Sequence, residues 1–434
     1  MVLGGTGAGK TSSAVMPTAQ ALFGHPEIGV ILADVKNGEC YAQLRGVAGE
    51  LGRNFGCIDD FGVFGFDNPD RIRLNPFGSV LAALKYEPAT LNFAIEAVTY
   101  IFIEEVDDGK RNFTFRERPR AEIHLAIRAM AELKPDLLTP GTVYDVMSDP
   151  QTWRTMREVA AEEGSAALKA RARASLDVEE RNADDYYRHY TAAVAALSPY
   201  ETGSVLASAG ANADLTHEEV GRKGWFLCHV LPQVHAKRVG VHIALNHQSL
   251  IAAQFSGRAG TVRAIYDEVC NSPARGAIEA ITVQRSYGLA CDYISQTFED
   301  IERQYGKQLA AVLADNCAVH QYLSFSDADA HKVSKLMGEE ISIQRGMSVN
   351  AQRLEVSGSM SMGKQPVMTP DELKNLDPAY QVIFIRGYGW LICRKLYQNQ
   401  IAPTYLWLCP NPQEGGVLPP DPKIELPVQY GAAS

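Results

Sequence analysis

The sequence holds no run of about 18 apolar residues that would span a bilayer, and no charged, apolar and small-residue leader opens it. As written, the chain is therefore expected to be soluble. Paired cysteines are also missing. The eight cysteines (Cys40, Cys57, Cys228, Cys270, Cys291, Cys317, Cys393 and Cys409) form no C-x-x-C pair, which argues against a disulfide frame and for reduced, mostly buried thiols. Basic charge is short as well. Lys and Arg number 41 against 51 Asp and Glu, a net charge of −10. Such a balance excludes a surface coated for nucleic acid but leaves room for a local basic channel. No internal repeat is found. What remains is a chain of 434 residues, 46% hydrophobic, long enough for two or three domains and a large core.

Against these absences stands one dense motif, "GGTGAGKTS": Gly4, Gly5, Thr6, Gly7, Ala8, Gly9, Lys10, Thr11 and Ser12. It fits G-x-x-x-x-G-K-[ST] at Gly4, Gly9, Lys10 and Thr11. Backbone N–H groups must wrap a polyphosphate closely, and only glycine takes the required dihedrals without a side chain in the way. Lys10 is placed to reach the β- and γ-phosphates, and the Thr11 hydroxyl to bind Mg²⁺. The helix expected over roughly Lys10 to Phe23 points its positive end at the phosphates. The pattern therefore predicts a nucleoside triphosphate site, with ATP and Mg²⁺ as cofactors. Only Met1, Val2 and Leu3 precede it. The expectation is that they are the tail of the strand feeding the loop, and that the natural protein is longer.

Strand and helix patterns alternate at both ends of the chain. "IGVILADVKNG" (28–38) reads as a buried parallel strand closing on Asp34 and Lys36 at a ligand-facing edge. "RIRLNPF" (71–77) reads as a short strand stopped by Asn75-Pro76. Further strands are expected at "GWFLCHVLP" (224–232), "VRAIYDEV" (262–269), "LACDYISQT" (289–297) and "AVHQYLSF" (318–325), and a closing hairpin at 380–397 around Gly387 and Gly389. Between them the composition turns Ala- and charge-rich, and "RAEIHLAIRAMAEL" (120–133) sets Ile123, Ile127 and Met130 on one helical face. The reading is an α/β nucleotide-binding domain in two parts, 1–90 and 216–409, with an all-α insertion over 91–215. The Pro- and Gly-rich tail, 410–434, is expected to be poorly ordered.

"YDEV" supplies the acidic half of a hydrolytic site. Asp267 would hold the Mg²⁺ shell, and Glu268 would polarise the attacking water as general base. Gln296, in "YISQT", again stands where a strand should end. It either orients water or senses the γ-phosphate, or it simply faces solvent.

The order of phosphate loop, "DVKNGE", "LNPF", helical insertion, "GWFLCHVLP", "YDEV", "QRSYGLACDYISQTFEDIERQYG", "LADNC" and "PVMTPDELKNLD" resembles the coupling ATPases of type IV secretion and conjugation over nearly all of residues 1–400. The resemblance implies a RecA-like phosphate-loop NTPase domain with a mostly parallel sheet, carrying an all-α domain. It also implies a homo-hexamer anchored at the cytoplasmic face of the bacterial inner membrane. Such a hexamer recruits relaxase-bound DNA or protein effectors and passes them to components of the secretion channel. Two departures are visible. The family's membrane helices are missing before the loop, and no arginine near "LADNC" offers itself in trans. Arg285, in the "QRSYG" turn, is the substitute candidate, against an ordinary surface arginine. Two other readings stay open: a DNA translocase or helicase without a secretion role, and a recruitment platform with little turnover.

Two clusters are of lesser weight. Cys228, His229, His235, His242 and His247 match no closed zinc spacing. "GKRNFTFRERPR" (109–120) interleaves Lys110, Arg111, Arg116, Arg118 and Arg120 with Phe113 and Phe115. That mixture suits single-strand contact or a solvated loop beside Glu117.

Overall fold

The computed structural model describes residues 1–103, 113–232, 234, 236–270, 275–350 and 355–427. The chain divides into two compact units, Met1–Val15 with Ile294–Tyr397, and Met16–Tyr293 with Gln398–Ser434. In chain order the strands are β1 (Val2–Leu3), β2 (Gly29–Asp34), β3 (Phe55–Ile58), β4 (Phe226–Val230), β5 (Val262–Tyr266), β6 (Leu289–Ser295), β7 (Val319–Tyr322), β8 (Glu339–Asn350), β9 (Glu355–Pro366), β10 (Tyr380–Ile385), β11 (Gly389–Arg394), β12 (Ile401–Ala402) and β13 (Ile424–Glu425).

In the larger unit the order is β6-β5-β2-β4-β3, and every pair is parallel. All residues of β2 and β4 are buried, as suits largely apolar runs in strands covered on both faces. In the smaller unit β1 lies between the last residues of β6 and β7, parallel to both: Leu3 pairs with Ser295 and with Tyr322. There the antiparallel hairpin β10–β11 closes on β7, around Gly387 and Gly389, both at positive φ. β8 and β9 form a separate two-stranded ribbon in the same unit.

The described residues of 91–215 hold six α-helices and no strand. Their centre is the helix Phe113–Leu133. Ile123, Ile127 and Met130 are buried there as expected, but so are Leu125, Ala126, Ala129 and Ala131. The stretch 122–131 is thus buried on more than one face, while Phe115, Arg118 and Ala121 nearer the start of the helix are exposed. Breaks between neighbouring helices follow local chemistry. Thr139 and Asp149 accept from the amides of Thr142 and Thr152, and each is followed by a proline at the first helical position. The apolar core runs on into Phe77, Val80 of the helix Gly78–Tyr86 and Leu245 of Ala236–Phe255, so its packing does not stop at the limits of 91–215.

Three local expectations differ from what is observed. "RIRLNPF" makes only isolated bridges, Cys57 with Arg71 and Leu74 with Leu215. Two of its backbone donors go to side chains: Arg73 N to Asp214 Oδ2 at 2.9 Å, and Phe77 N to Asn75 Oδ1 at 2.9 Å. β3 was hidden by Gly56, where an added Cβ would stand 2.7 Å from the Asp70 carbonyl oxygen. The tail contains an ordered piece, since β13 runs parallel to β12.

Replacing Ile127 by Ala is expected to destabilise the helical core by about 2–5 kcal/mol. The change should appear as a lower denaturation midpoint followed by fluorescence of Trp153, which is buried in the same core. An unchanged midpoint would place Ile127 outside the cooperative core.

Candidate active site

In the smaller unit the loop Gly4–Ser12 leaves β1 and is pinned at both sides. Gly4 N donates to the carbonyls of Ser295 and Gln296 at 3.2 and 3.1 Å, and Gly5 N to Ser324 Oγ at 2.8 Å. Gly7 and Gly9 have φ of 78° and 86°, a region closed to most side chains. Lys10 Nζ donates to Gly4 O at 2.8 Å and Gly5 O at 3.4 Å, so the ammonium folds back across the loop. Thr11 is buried at the start of the following helix. That helix opens as a π-helical turn, Thr11–Val15, before Met16–Phe23. Pro17 accounts for the widening, because it offers no N–H to the Ser13 carbonyl and its ring crowds that oxygen.

A cavity of about 460 Å³ lies beside the loop, lined by Gly7, Gly9 and Ser12 on one side and by Tyr380, Lys395 and Tyr397 among others. Its volume falls in the range of small-molecule sites. Gln296 is exposed at the end of β6, with Thr6 Oγ1 3.4 Å from its Oε1. The loop and Gln296 are therefore together, as the strand-end argument expected.

The larger unit holds the acidic pair. Asp267 and Glu268 follow β5 directly and both are buried. Lys36 Nζ is 3.4 Å from Asp267 Oδ2, and neither carboxylate oxygen of Asp267 receives a hydrogen bond among the described residues. Burial opposes charge on Lys36, but Asp267 and Glu39 outweigh it and hold the ammonium above its ordinary value. Asp34, at the end of β2, is fully buried. Its Oδ2 accepts from Cys40 N at 2.8 Å and Tyr41 N at 3.0 Å, at the start of the helix Glu39–Leu51. Burial above all, with the charge of Asp267, raises its carboxyl to about 7 against those two hydrogen bonds. Glu268 has φ 57°, a left-handed conformation costing about 1 kcal/mol or more in a residue with a side chain. Strain of this kind gathers where a side chain is aimed for chemistry.

Arg285 is exposed on the short turn Arg285–Tyr287 that leads into β6. Because β5 and β6 are parallel, it stands at the end of this strand pair opposite to Asp267. Sequence reasoning marked Asp34 and Lys36 as a ligand-facing edge without giving them partners. It missed Ser324 and Lys395, which carry no motif and reach the loop only through the fold.

The histidines of the Cys–His stretch serve the core. His242 Nε2 is 2.9 Å from Asp60 Oδ2, and the rings of His229 and His242 lie 5.4 Å apart. Burial pushes His229 and His247 down to about 3, so both are neutral. His235 lies outside the described residues, and among those described no group of three or more ligating side chains could hold a metal. In the basic stretch, Lys110 and Arg111 also lie outside them. Arg118 pairs with Asp185, and Arg120 donates to Ile103 O at 2.7 Å and pairs with Glu117. These cations are spent within the helical part, while Phe115 is exposed.

The family model described as Type IV secretory system conjugative DNA transfer matches residues 1–403. The chain belongs to that family. Among solved structures, the bacterial conjugative coupling protein TrwBdeltaN70 in its unbound monoclinic form is similar at a TM-score of 0.64 and 14% identity, over 93% of this chain and 86% of that one. TrwB in complex with the non-hydrolysable GTP analogue GDPNP gives 0.61 and 14%, over 91% and 84%. TrwB in complex with ADP and Mg²⁺ gives 0.59 and 14%, again over 91% and 84%. None of the curated proteins compared matches the chain. The fold shared with these family members is the RecA-like α/β fold with helical additions that the motif order implied. Among the described residues no helix is long and apolar enough to cross a membrane.

Asp34 provides a pH test. Its folded value of about 7 lies above the ordinary aspartate value of 3.8, so between these limits the native state binds the extra proton. Stability from this group therefore falls as pH rises from about 4 to 7. Asp34→Asn should remove that slope, so its melting temperature relative to wild type should climb between pH 5 and 8. A constant difference across that window would show that Asp34 is already ionised.

Proposed function

We propose that this chain is the nucleotide-hydrolysing motor portion of a conjugative coupling protein, working as a ring at the cytoplasmic face of the bacterial inner membrane. In this reading its hydrolysis drives relaxase-bound DNA, or protein effectors, to the secretion channel. The observation that carries the reading is the loop. Two left-handed glycines, Gly7 and Gly9, leave a side-chain-free bend next to a cavity of about 460 Å³, and Lys10 is folded onto the carbonyl of Gly4. Such a bend suits a polyphosphate because successive N–H groups can converge on one anion. Complexes of TrwB with ADP and Mg²⁺ and with a GTP analogue support a nucleotide as ligand.

Residue roles follow the motif positions. Gly4 to Ser12 hold the phosphates, and Lys10 draws the terminal one. By motif position, Thr11 in the smaller unit and Asp267 in the larger are the candidate Mg²⁺ ligands. The two Asp267 oxygens are buried without a hydrogen-bond donor among the described residues, and their one ion-pair partner is the ammonium of Lys36, which is the setting of a carboxylate kept for a cation. Mg²⁺, when bound, neutralises phosphate charge and fixes its orientation. Glu268 takes the proton of the attacking water, its side chain aimed by a backbone held in the left-handed region. Gln296 orients that water or reports the terminal phosphate. Arg285, exposed on its turn, is the cation offered to a neighbouring copy. An arginine supplied this way accelerates related reactions about 10³–10⁵-fold, so turnover is tied to assembly into the hexamer.

Turnover should therefore rise steeply with protein concentration and with added DNA. Lys10→Ala should abolish nucleotide binding. Glu268→Gln should retain binding and lose about 10²–10⁴-fold in rate. The check is ATP hydrolysis against protein concentration, with and without single- and double-stranded DNA, beside nucleotide titration of both variants. A flat, near-zero rate in every condition would leave a recruitment platform as the better account. DNA stimulation without binding of channel components would favour a translocase.

A further inference from the structure

The smaller unit contains a charged group that the proposed chemistry has not used. Lys395 follows β11, and its backbone N–H donates to the Ala379 carbonyl at 2.8 Å, which fixes the residue beside the start of β10. Its side chain is only 6% exposed and lines the same cavity as Gly7, Gly9 and Ser12. The ammonium donates to the carbonyl of Ala8, inside the phosphate loop, at 3.0 Å. Among the described residues no carboxylate stands within ion-pair distance of it. Burial lowers its tendency to stay charged.

A buried ammonium answered by one neutral carbonyl is a poor arrangement in the ligand-free protein, because desolvation of the charge is barely compensated. The other cation on this wall of the cavity is otherwise engaged: Lys374 Nζ is 2.8 Å from Asp327 and 3.4 Å from Asp371. Lys10 rests on Gly4 O, near the opening of the loop, and Lys395 on Ala8 O, near its end. Two ammonium groups thus sit on the carbonyls of one anion-binding loop, one from the motif and one from the closing hairpin.

We infer that Lys395 is a second phosphate-binding cation, which exchanges the Ala8 carbonyl for a phosphate oxygen when a nucleoside triphosphate enters the cavity. The inference rests on the reading of the loop as a nucleotide site. A bound polyphosphate supplies the negative charge that the buried ammonium lacks, and a charge-assisted hydrogen bond replaces a neutral one. The hairpin then takes part in holding the ligand as well as closing the sheet.

The experiment uses the full chain and its variants Lys395→Met, Lys395→Arg and Lys10→Ala. Binding of a non-hydrolysable ATP analogue and of inorganic tripolyphosphate is measured by calorimetry, and melting of each ligand-free protein is recorded. Lys395→Met should weaken both ligands about tenfold or more, and Lys395→Arg should recover most of that loss. Ligand-free Lys395→Met should melt at or above the wild-type temperature, since a buried charge has been removed. Binding lost in Lys10→Ala but unchanged in Lys395→Met overturns the inference alone. A lower ligand-free melting temperature, with binding not rescued by arginine, overturns it too and assigns Lys395 to a structural tether. No binding by wild type overturns both this inference and the nucleotide reading.

Discussion

Burying a carboxylate where a parallel strand ends is costly unless something positive answers it, and the larger unit is organised around that requirement. Asp34 ends β2, and Asp267 follows the neighbouring β5. Both are cut off from water, and they repel one another. Asp34 is answered by two amides at the start of the helix Glu39–Leu51. Asp267 is answered by the ammonium of Lys36, which is carried on the turn between β2 and that helix. One short segment, "DVKNGE", therefore supplies a carboxylate, a cation and a helix start. Its shape depends on Asn37 and Gly38, both at positive φ. An added Cβ at Gly38 would stand 2.2 Å from the ring of Phe64, so the turn is packed down as well as bent.

The smaller unit presents positive groups beside a bend of backbone. Its loop is built from backbone donors and bends that only glycine adopts easily, and Lys10 and Lys395 rest on its carbonyl oxygens. The contrast is informative about division of labour. The loop proposed to hold phosphate belongs to residues 1–15 and 294–397, whereas the strand-end acids belong to 16–293. Each half has a local physical logic that is intelligible without the other.

Much of this was legible in the sequence, and the reasons differ by feature. The phosphate loop is legible because its chemistry demands particular residue types at fixed offsets. β2, β4, β5 and β6 are legible because their runs are largely apolar, as strands covered by other elements require. The places of Gln296 and Asp267, each directly after a strand, are legible for the same reason. Other features left no trace. Ser324 and Lys395 reach the loop from far along the chain, so no local pattern marks them. β3 is four residues with a glycine inside, too weak a signal by composition. "RIRLNPF" looked like a strand because apolar and basic residues alternate, yet the amides of Arg73 and Phe77 go to the side chains of Asp214 and Asn75. Nor did periodicity show that the stretch 122–131 is buried on more than one face, since alanines at 126, 129 and 131 read as neutral rather than core.

At 14% identity the chain and TrwBdeltaN70 share a fold over nearly their whole lengths, which is physically reasonable for an architecture defined by backbone pairing and by apolar volume. The ribbon β8–β9 shows backbone pairing over a long stretch. Twelve residue pairs run in unbroken antiparallel register from Glu339–Pro366 to Asn350–Glu355, and at about 3.3 Å per residue the ribbon extends about 40 Å. It forms a sheet of its own, so each of its strands keeps one lateral edge whose amides and carbonyls are unpaired within the ribbon. Such an arm behaves mechanically as a slender twisted beam: stiff against stretching, compliant in bending and torsion, and longer than a small domain is wide.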